Sequence, residues 1–219
     1  EEVLMGGKVT IAEIQGNADE SPLENYIVTT SGVVTATFDN EAPYTDAGFT
    51  ANLTGFFLQD PTGDDDETTS EGLYIYTEEK VNVGDSIDVT GLVAEMYGIT
   101  ELKDVSEIVV HDSGANLPGV VEVTLPMSAD KSLEQVEGMR VKITNEMTVT
   151  ENRQLNTYGQ VRLSASGLLK TVTQVVEPYN ENGAYNASAI DAHMAATDAN
   201  SIMLDDANSA SNPSPIPFL

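Results

Sequence analysis

The chain has 219 residues, 36 acidic against 9 basic side chains, a formal net charge of −27 and no cysteine. That charge excludes an average surface attractive to nucleic acid or anionic membranes, so a polyanion partner needs a local exception. The missing cysteine excludes a disulfide framework, a thiolate nucleophile and Cys-based zinc sites, and no apolar run approaches the roughly 18–20 residues of a membrane-spanning helix.

In chain order, the first clear element is Tyr26–Phe38, whose alternation places Tyr26, Val28, Thr30, Gly32, Val34, Ala36 and Phe38 on one strand face. Short strands follow at Gly55–Asp60 and Gly72–Glu79. Ser86–Gly98 repeats the long-strand theme, with a phase shift near Gly91 that predicts a bulge or sharp bend. A short Ile99–Lys103 and a clearer Glu107–Asp112 complete about five strands, two of them bent at glycine. This pattern predicts a mainly all-β chain that opens with an OB-fold barrel.

The linker-like Ser113–Gly119 separates two blocks of different charge. Residues 1–112 hold 24 acidic and 3 basic side chains, residues 113–219 hold 12 and 6, so the net charges are −21 and −6. We therefore expect an acidic OB domain at 8–112 and, at 120–219, a second OB-like β module, incomplete, with an irregular C-terminal tail. Strands are expected at Met139–Thr144, Met147–Glu151 and Gln160–Ser164, and a short helix near Ala187–Ala196.

Two clusters carry possible chemistry. Between the second and third strands, Asp60, Asp64 and Asp66 alternate around Gly63, and Glu71 closes the loop. Hard cations take six to eight oxygens from such turning backbones, so this loop either binds a divalent cation, with Ca²⁺ expected, or is simply solvated. The spacing is not that of an EF-hand. The second cluster is basic: alternation in MRVKIT buries Met139, Val141 and Ile143 and turns Arg140 and Lys142 outward, beside Arg162 of QVRLS if the two strands pair. With Arg153 and Lys170 nearby, that stripe predicts weak, salt-sensitive DNA contact, against a solvated face with internally balanced charges. In the first module Phe56, Phe57, Tyr74, Tyr76 and Tyr97 could stack on bases, but packing is the expected role of Phe56 and Tyr74.

Several phrases taken together resemble the N-terminal region of secreted bacterial nucleases with an endonuclease/exonuclease/phosphatase-type catalytic domain. They are IAEIQGNADESPLENYIVTTSGVVTATF (Ile11–Phe38), GFFLQDPTGDDDETTSEGLYIY (Gly55–Tyr76), VGDSIDVTGLVAEMYGITEL (Val83–Leu102), EGMRVKITNEMTVTENRQLNTYGQVRLS (Glu137–Ser164) and IMLDDANSASNPSP (Ile202–Pro215). The resemblance implies an OB-fold region associated with nucleic acid, an extracellular location with the signal peptide already removed, and a parent metal-dependent endonuclease. His111 and His193 are the only histidines and neither sits in that family's nuclease motifs. The expectation is a non-catalytic accessory region that positions a downstream nuclease domain. The alternative is a cation-stabilised extracellular structural or adhesive module that self-associates through an unpaired strand edge.

Overall fold

The structure is a computed structural model that describes residues 4–38, 54–128, 131–207, 211–216 and 218–219. It divides into two compact units: Glu1–Pro43, Asn52–Glu122 and Ala129–Lys142 form the first, and Tyr44–Ala51, Val123–Ser128 and Ile143–Leu219 the second.

In the first unit, β1 (Leu4–Lys8) and α1 (Ile11–Gln15) precede five barrel strands: β2 (Tyr26–Phe38), β3 (Gly55–Gln59), β4 (Gly72–Tyr76), β5 (Asp85–Glu95) and β6 (Thr100–Ser113). The strands run β2-β3-β4-β6-β5, and β5 pairs back onto β2 to close the barrel. The β4–β6 pair is parallel and the other barrel pairs are antiparallel, which is the OB arrangement. β1 adds to β2 in parallel outside the ring.

Alternation explains the core. Val28, Val34, Phe56, Leu58, Leu73, Ile75, Ile87, Val89, Val93 and Leu102 point inward, and Ile11 and Ile14 of α1 join them. α1 is only five residues long, and its start is fixed by a capping box in which Thr10 and Glu13 exchange hydrogen bonds. Gly91 sits at the bulge where the β5–β6 register shifts, and a side chain there would meet the Lys103 carbonyl at 2.9 Å. The phase shift read from sequence is thus a real kink that lets the strand curve around the barrel.

In the second unit, β9 (Thr148–Glu151), β10 (Val161–Ser164) and β11 (Ser201–Leu204) form an antiparallel sheet in the order β11-β10-β9. Short helices α2 (Leu155–Tyr158) and α3 (Val172–Val175) and the longer α4 (Ala187–Ala199) accompany it. Among the described residues this sheet does not close into a barrel. β7 (Val121–Val123) and β8 (Val141–Ile143) make a separate two-stranded ribbon. Val141, expected inside, is 39% exposed, because a two-stranded ribbon offers β8 only one neighbour.

Candidate functional site

OB folds bind oligonucleotides on the outer face of their second and third strands, here β3 and β4. Outward positions on these strands are occupied. Phe57 packs against Tyr74 with ring centroids 5.2 Å apart and the planes tilted by 54°, and it meets Phe38 edge-on at 5.7 Å. Tyr74 is 6% exposed, donates its hydroxyl to the Thr54 carbonyl at 2.7 Å, and burial pushes its hydroxyl up to about 12. Phe56 lies wholly in the core, and Tyr76 and Tyr97 are exposed. The five aromatics therefore do not share one stacking platform.

Next to the aromatics, residues 131–140 cross the start of β4 as a strap built on a 3-10 turn at Leu133–Val136. The approach is possible because two glycines face each other: a Cβ on Gly72 would lie 2.2 Å from the Gly138 carbonyl carbon. Ser70 Oγ donates to the Glu137 carbonyl at 2.6 Å, and the Arg140 N–H donates to Gln59 Oε1 at 3.0 Å. Lys131 pairs with Glu67 at 2.8 Å, and the Glu71 N–H reaches Met139 Sδ at 3.4 Å. Residues 131–142, grouped with the second module on sequence, thus belong to the barrel unit.

At the strap's centre, the Glu137 carboxyl is received by three elements. Its Oε1 accepts from the Thr100 N–H at 2.9 Å and from Gln15 Nε2 at 3.3 Å, while Gln15 also donates to the Gly72 carbonyl at 2.6 Å. Glu95 stands nearby, accepting from the Ser21 N–H and from Thr100 Oγ1, each at 2.8 Å. Burial first, then the charges of Glu134 and Glu95, push the Glu137 carboxyl up to about 7 against the lowering effect of its hydrogen bonds. Burial likewise raises Glu134, with Asp19 and Glu95 adding to the effect. A cleft of about 240 Å³ opens beside the strap, lined among others by Gln15, Asp19, Thr68, Ser132 and Glu134.

The acidic loop 60–71 holds itself by local turns. Asp60 Oδ1 accepts from the Thr62 N–H and hydroxyl at 2.8 and 2.7 Å, and Asp64 Oδ1 from the Asp66 N–H at 2.8 Å. Asp66 Oδ1 accepts from the Thr68 hydroxyl and N–H at 2.7 and 2.9 Å, which lowers its pKa below the ordinary carboxylate value. Glu71 receives the Asp64 N–H at 2.7 Å, and burial raises its pKa, with the charges of Asp64 and Asp60 adding to that. The four carboxylates expected from sequence lie in one loop. Among the described residues, however, no three acidic or histidine side chains are grouped as metal ligands.

The expected basic residues are dispersed. β8 carries Lys142 and β10 carries Arg162, and these strands are in different sheets, so the pairing that would align a stripe is not made. Arg140 Nη1 donates to the Pro118 carbonyl at 2.6 Å. Lys142 pairs with Glu122 at 3.2 Å, Arg153 with Glu151 at 3.3 Å, and Arg162 with Asp198 at 3.4 Å and Ser201 at 3.1 Å. Lys170 is exposed, and its carbonyl contacts the His193 ring at 2.8 Å. His111 lies 3.3 Å from Asp88, which also binds Lys8 and Ser31. Those contacts hold the Asp88 carboxyl down to about 2, the Lys8 hydrogen bond contributing most.

The Gln15–Glu137–Thr100 arrangement was not anticipated from sequence. Its one available signal was the pair of glycines, Gly72 at a strand start and Gly138 after a helical turn, which favour close backbone approach. Among the described residues no helix is long and apolar enough to cross a membrane. No protein-family model matches the chain, and comparison with curated proteins finds no match.

Proposed function

We propose that this chain is a non-catalytic OB-fold module of a secreted nuclease that positions a catalytic domain and itself binds DNA only weakly. The observation that carries the reading is an OB barrel whose oligonucleotide face is occupied by its own side chains and strap, with Tyr74 6% exposed and Gln59 3% exposed. The electrostatics agree, because residues 1–112 carry −21 and the cations Lys142, Arg153 and Arg162 are each paired with a carboxylate. The histidines support it too: His111 is engaged by an aspartate that also binds a lysine, and His193 by a backbone carbonyl, neither of which forms a general-base constellation. The nuclease context rests on the sequence resemblance.

The test is direct. Purified chain is incubated with plasmid and single-stranded DNA in Mg²⁺, Mn²⁺ or Ca²⁺, and no cleavage is expected. The full gene product is then compared with a form lacking the barrel residues. Cleavage by the isolated chain overturns the non-catalytic reading, and a full gene product without nuclease activity overturns the nuclease context.

A second reading, a self-associating structural module, draws on one observation. β6 beyond Leu102 pairs only with β5 among the described residues, and Val109 and Val110 on that stretch are 40% and 49% exposed. Asp104, Glu107 and Asp112 lie along it, and charged residues are the usual device that discourages edge pairing.

A further inference from the structure

We propose that the outer face of β4 and β6 around Glu101 is a docking site for an arginine side chain of a partner polypeptide, with the Glu101 carboxylate as its acceptor and the Tyr76 ring as its stacking surface. This goes beyond the accessory reading and does not depend on the nuclease context. Among the described residues two carboxylates are more than nine-tenths buried, Asp85 at 3% exposure and Glu101 at 6%. Asp85 accepts from the Asn82 N–H at 2.8 Å and from Asn82 Nδ2 at 3.3 Å. Glu101 accepts no hydrogen bond and makes no ion pair among the described residues. Its oxygens are not sealed from solvent, so the carboxylate can be reached from outside. A desolvated carboxylate without a donor costs stability, a cost that is relieved when a ligand brings the donors.

The neighbours say which ligand fits. Leu73, Ile75 and Leu102 point into the core, so alternation turns Tyr74, Tyr76, Glu101 and Lys103 outward on one face, with Glu101 directly across from Tyr74 in the parallel β4–β6 pair. Tyr76 and Glu101 both act electrostatically on the Tyr74 hydroxyl, which sets the three side chains in one neighbourhood. Tyr74 itself is committed, its hydroxyl to the Thr54 carbonyl and its ring to Phe57, so it serves as a wall, while Tyr76 is 53% exposed and offers its ring. The charges acting on Glu101 are those of Lys103 and Glu95; burial first, then Glu95, raise its pKa against the effect of Lys103. Residues 1–112 carry −21, a field that draws a cation and repels both phosphates and a second copy of the chain. A guanidinium suits the site better than an ammonium, because its planar fork gives a carboxylate two parallel bonds while its face lies on an aromatic ring.

The test titrates the full chain with the peptide acetyl-Gly-Arg-Gly-amide, followed by NMR at about 0.15 M salt, where attraction beyond about 8 Å is screened. Shifts centred on Tyr74, Tyr76 and Glu101 are expected, with the lysine peptide weaker and the citrulline peptide, an uncharged isostere, without effect. Glu101→Gln should weaken the arginine peptide about tenfold, and Tyr76→Ala about threefold. Glu107→Gln removes the same charge from an exposed position of the same strand and should leave the affinity unchanged. Since Glu101→Gln removes a desolvated charge, it should melt no lower than the parent, which separates lost binding from lost folding. No shifts at this face in the parent overturn the proposal, and so does an equal loss in Glu107→Gln, which would mean diffuse attraction to an acidic surface. Should Glu101→Gln not fold, Lys103→Gln decides: clearing the neighbouring cation should tighten the arginine peptide, and no tightening overturns the proposal.

Discussion

Gly72→Ala isolates what the strap contributes to stability. Gly72 does not occupy the left-handed region, so alanine suits its backbone and, by restricting the unfolded chain, would stabilise by about 0.4–1 kcal/mol in open space. Here the new methyl would lie 2.2 Å from the Gly138 carbonyl carbon, 2.4 Å from the Glu137 oxygen and 2.4 Å from the Met139 nitrogen. All three are backbone atoms, so no rotamer change relieves the clash and the strap must move. Overpacking of this kind costs about 1–3 kcal/mol. If the strap leaves altogether, the bonds from Ser70, Thr100, Gln15 and Arg140 go with it, at about 1 kcal/mol each. The net expectation is a loss of about 2–4 kcal/mol, equivalent to a fall of roughly 6–12 °C in the barrel's Tm at about 3 °C per kcal/mol. Gly7→Ala is the control, since a methyl there has no atom within 4 Å, and it should be neutral or stabilise by up to about 1 kcal/mol. Thermal and urea unfolding of parent and both variants would decide. Gly72→Ala within about 0.5 kcal/mol of the parent, the range ordinary surface changes occupy, would refute the reasoning.

The remaining expectations concern protons, cations and phosphates. Glu137 binds its proton more tightly folded, near 7, than unfolded, near 4.5, so its stabilising contribution is full below the unfolded value and is lost as pH rises through about 7. The shift has a ceiling of about 3.4 kcal/mol, which screening at a half-exposed group reduces to about 1–2 kcal/mol. Melting should therefore be lower at pH 8 than at pH 5, and Glu137→Gln should recover most of that difference. Asp88, held down to about 2, works in the other direction: its contribution is present above the unfolded value and lost as pH falls through about 2, so Asp88→Asn should weaken the protein near neutrality and narrow its acid limb. At the acidic loop, Asp60, Asp64 and Asp66 accept hydrogen bonds from their own turns, and a Tm unchanged by chelator would show the loop held by those turns alone. A rise in Tm that follows free Ca²⁺ would instead establish the cation expected from sequence. For DNA, a salt slope no steeper than about 2 is expected at low salt, because Lys142 and Arg162 must first leave Glu122 and Asp198. Binding that survives Arg140, Lys142 and Arg162→Gln together would place the contact elsewhere.

The barrel was legible because strand alternation is local. Tyr26–Phe38 is bounded in the structure as read from sequence, and the kink announced at Gly91 is a real register shift. β6 was read as two pieces. It is one strand from Thr100 to Ser113, with Asp104 at φ +48 near the β5–β6 irregularity, so the apolar pattern breaks while the pairing continues. α4 was placed correctly from its alanine-rich composition and runs three residues further, to Ala199. β1 and α1 were missed because five residues are too few to display a period. The basic stripe was drawn from correct local strands with an assumed pairing, and pairing is a property of the whole fold. The strap was illegible for the same reason: Gly72 and Gly138 are far apart in sequence, and neither glycine alone says which backbone will approach it.

Fold and surface chemistry come apart in this chain. OB folds that grip single strands combine exposed aromatic faces with a basic groove. The barrel here has the strand order for that task, but its outward row is filled: Phe57 and Tyr74 pack against each other at a tilt, and Gln59 is taken by the strap. Beside Tyr74 in the register stands Glu101, 6% exposed, where a base would help. Lys8, one of only three cations in the first half of the chain, is bound to Asp88. Each of these features by itself would weaken phosphate binding, and together they act in one direction. On the accessory reading proposed above, such a barrel would bind DNA only weakly and would offer a highly charged surface to a neighbouring domain. That is why the positioning role, and not oligonucleotide capture, is the reading we adopt.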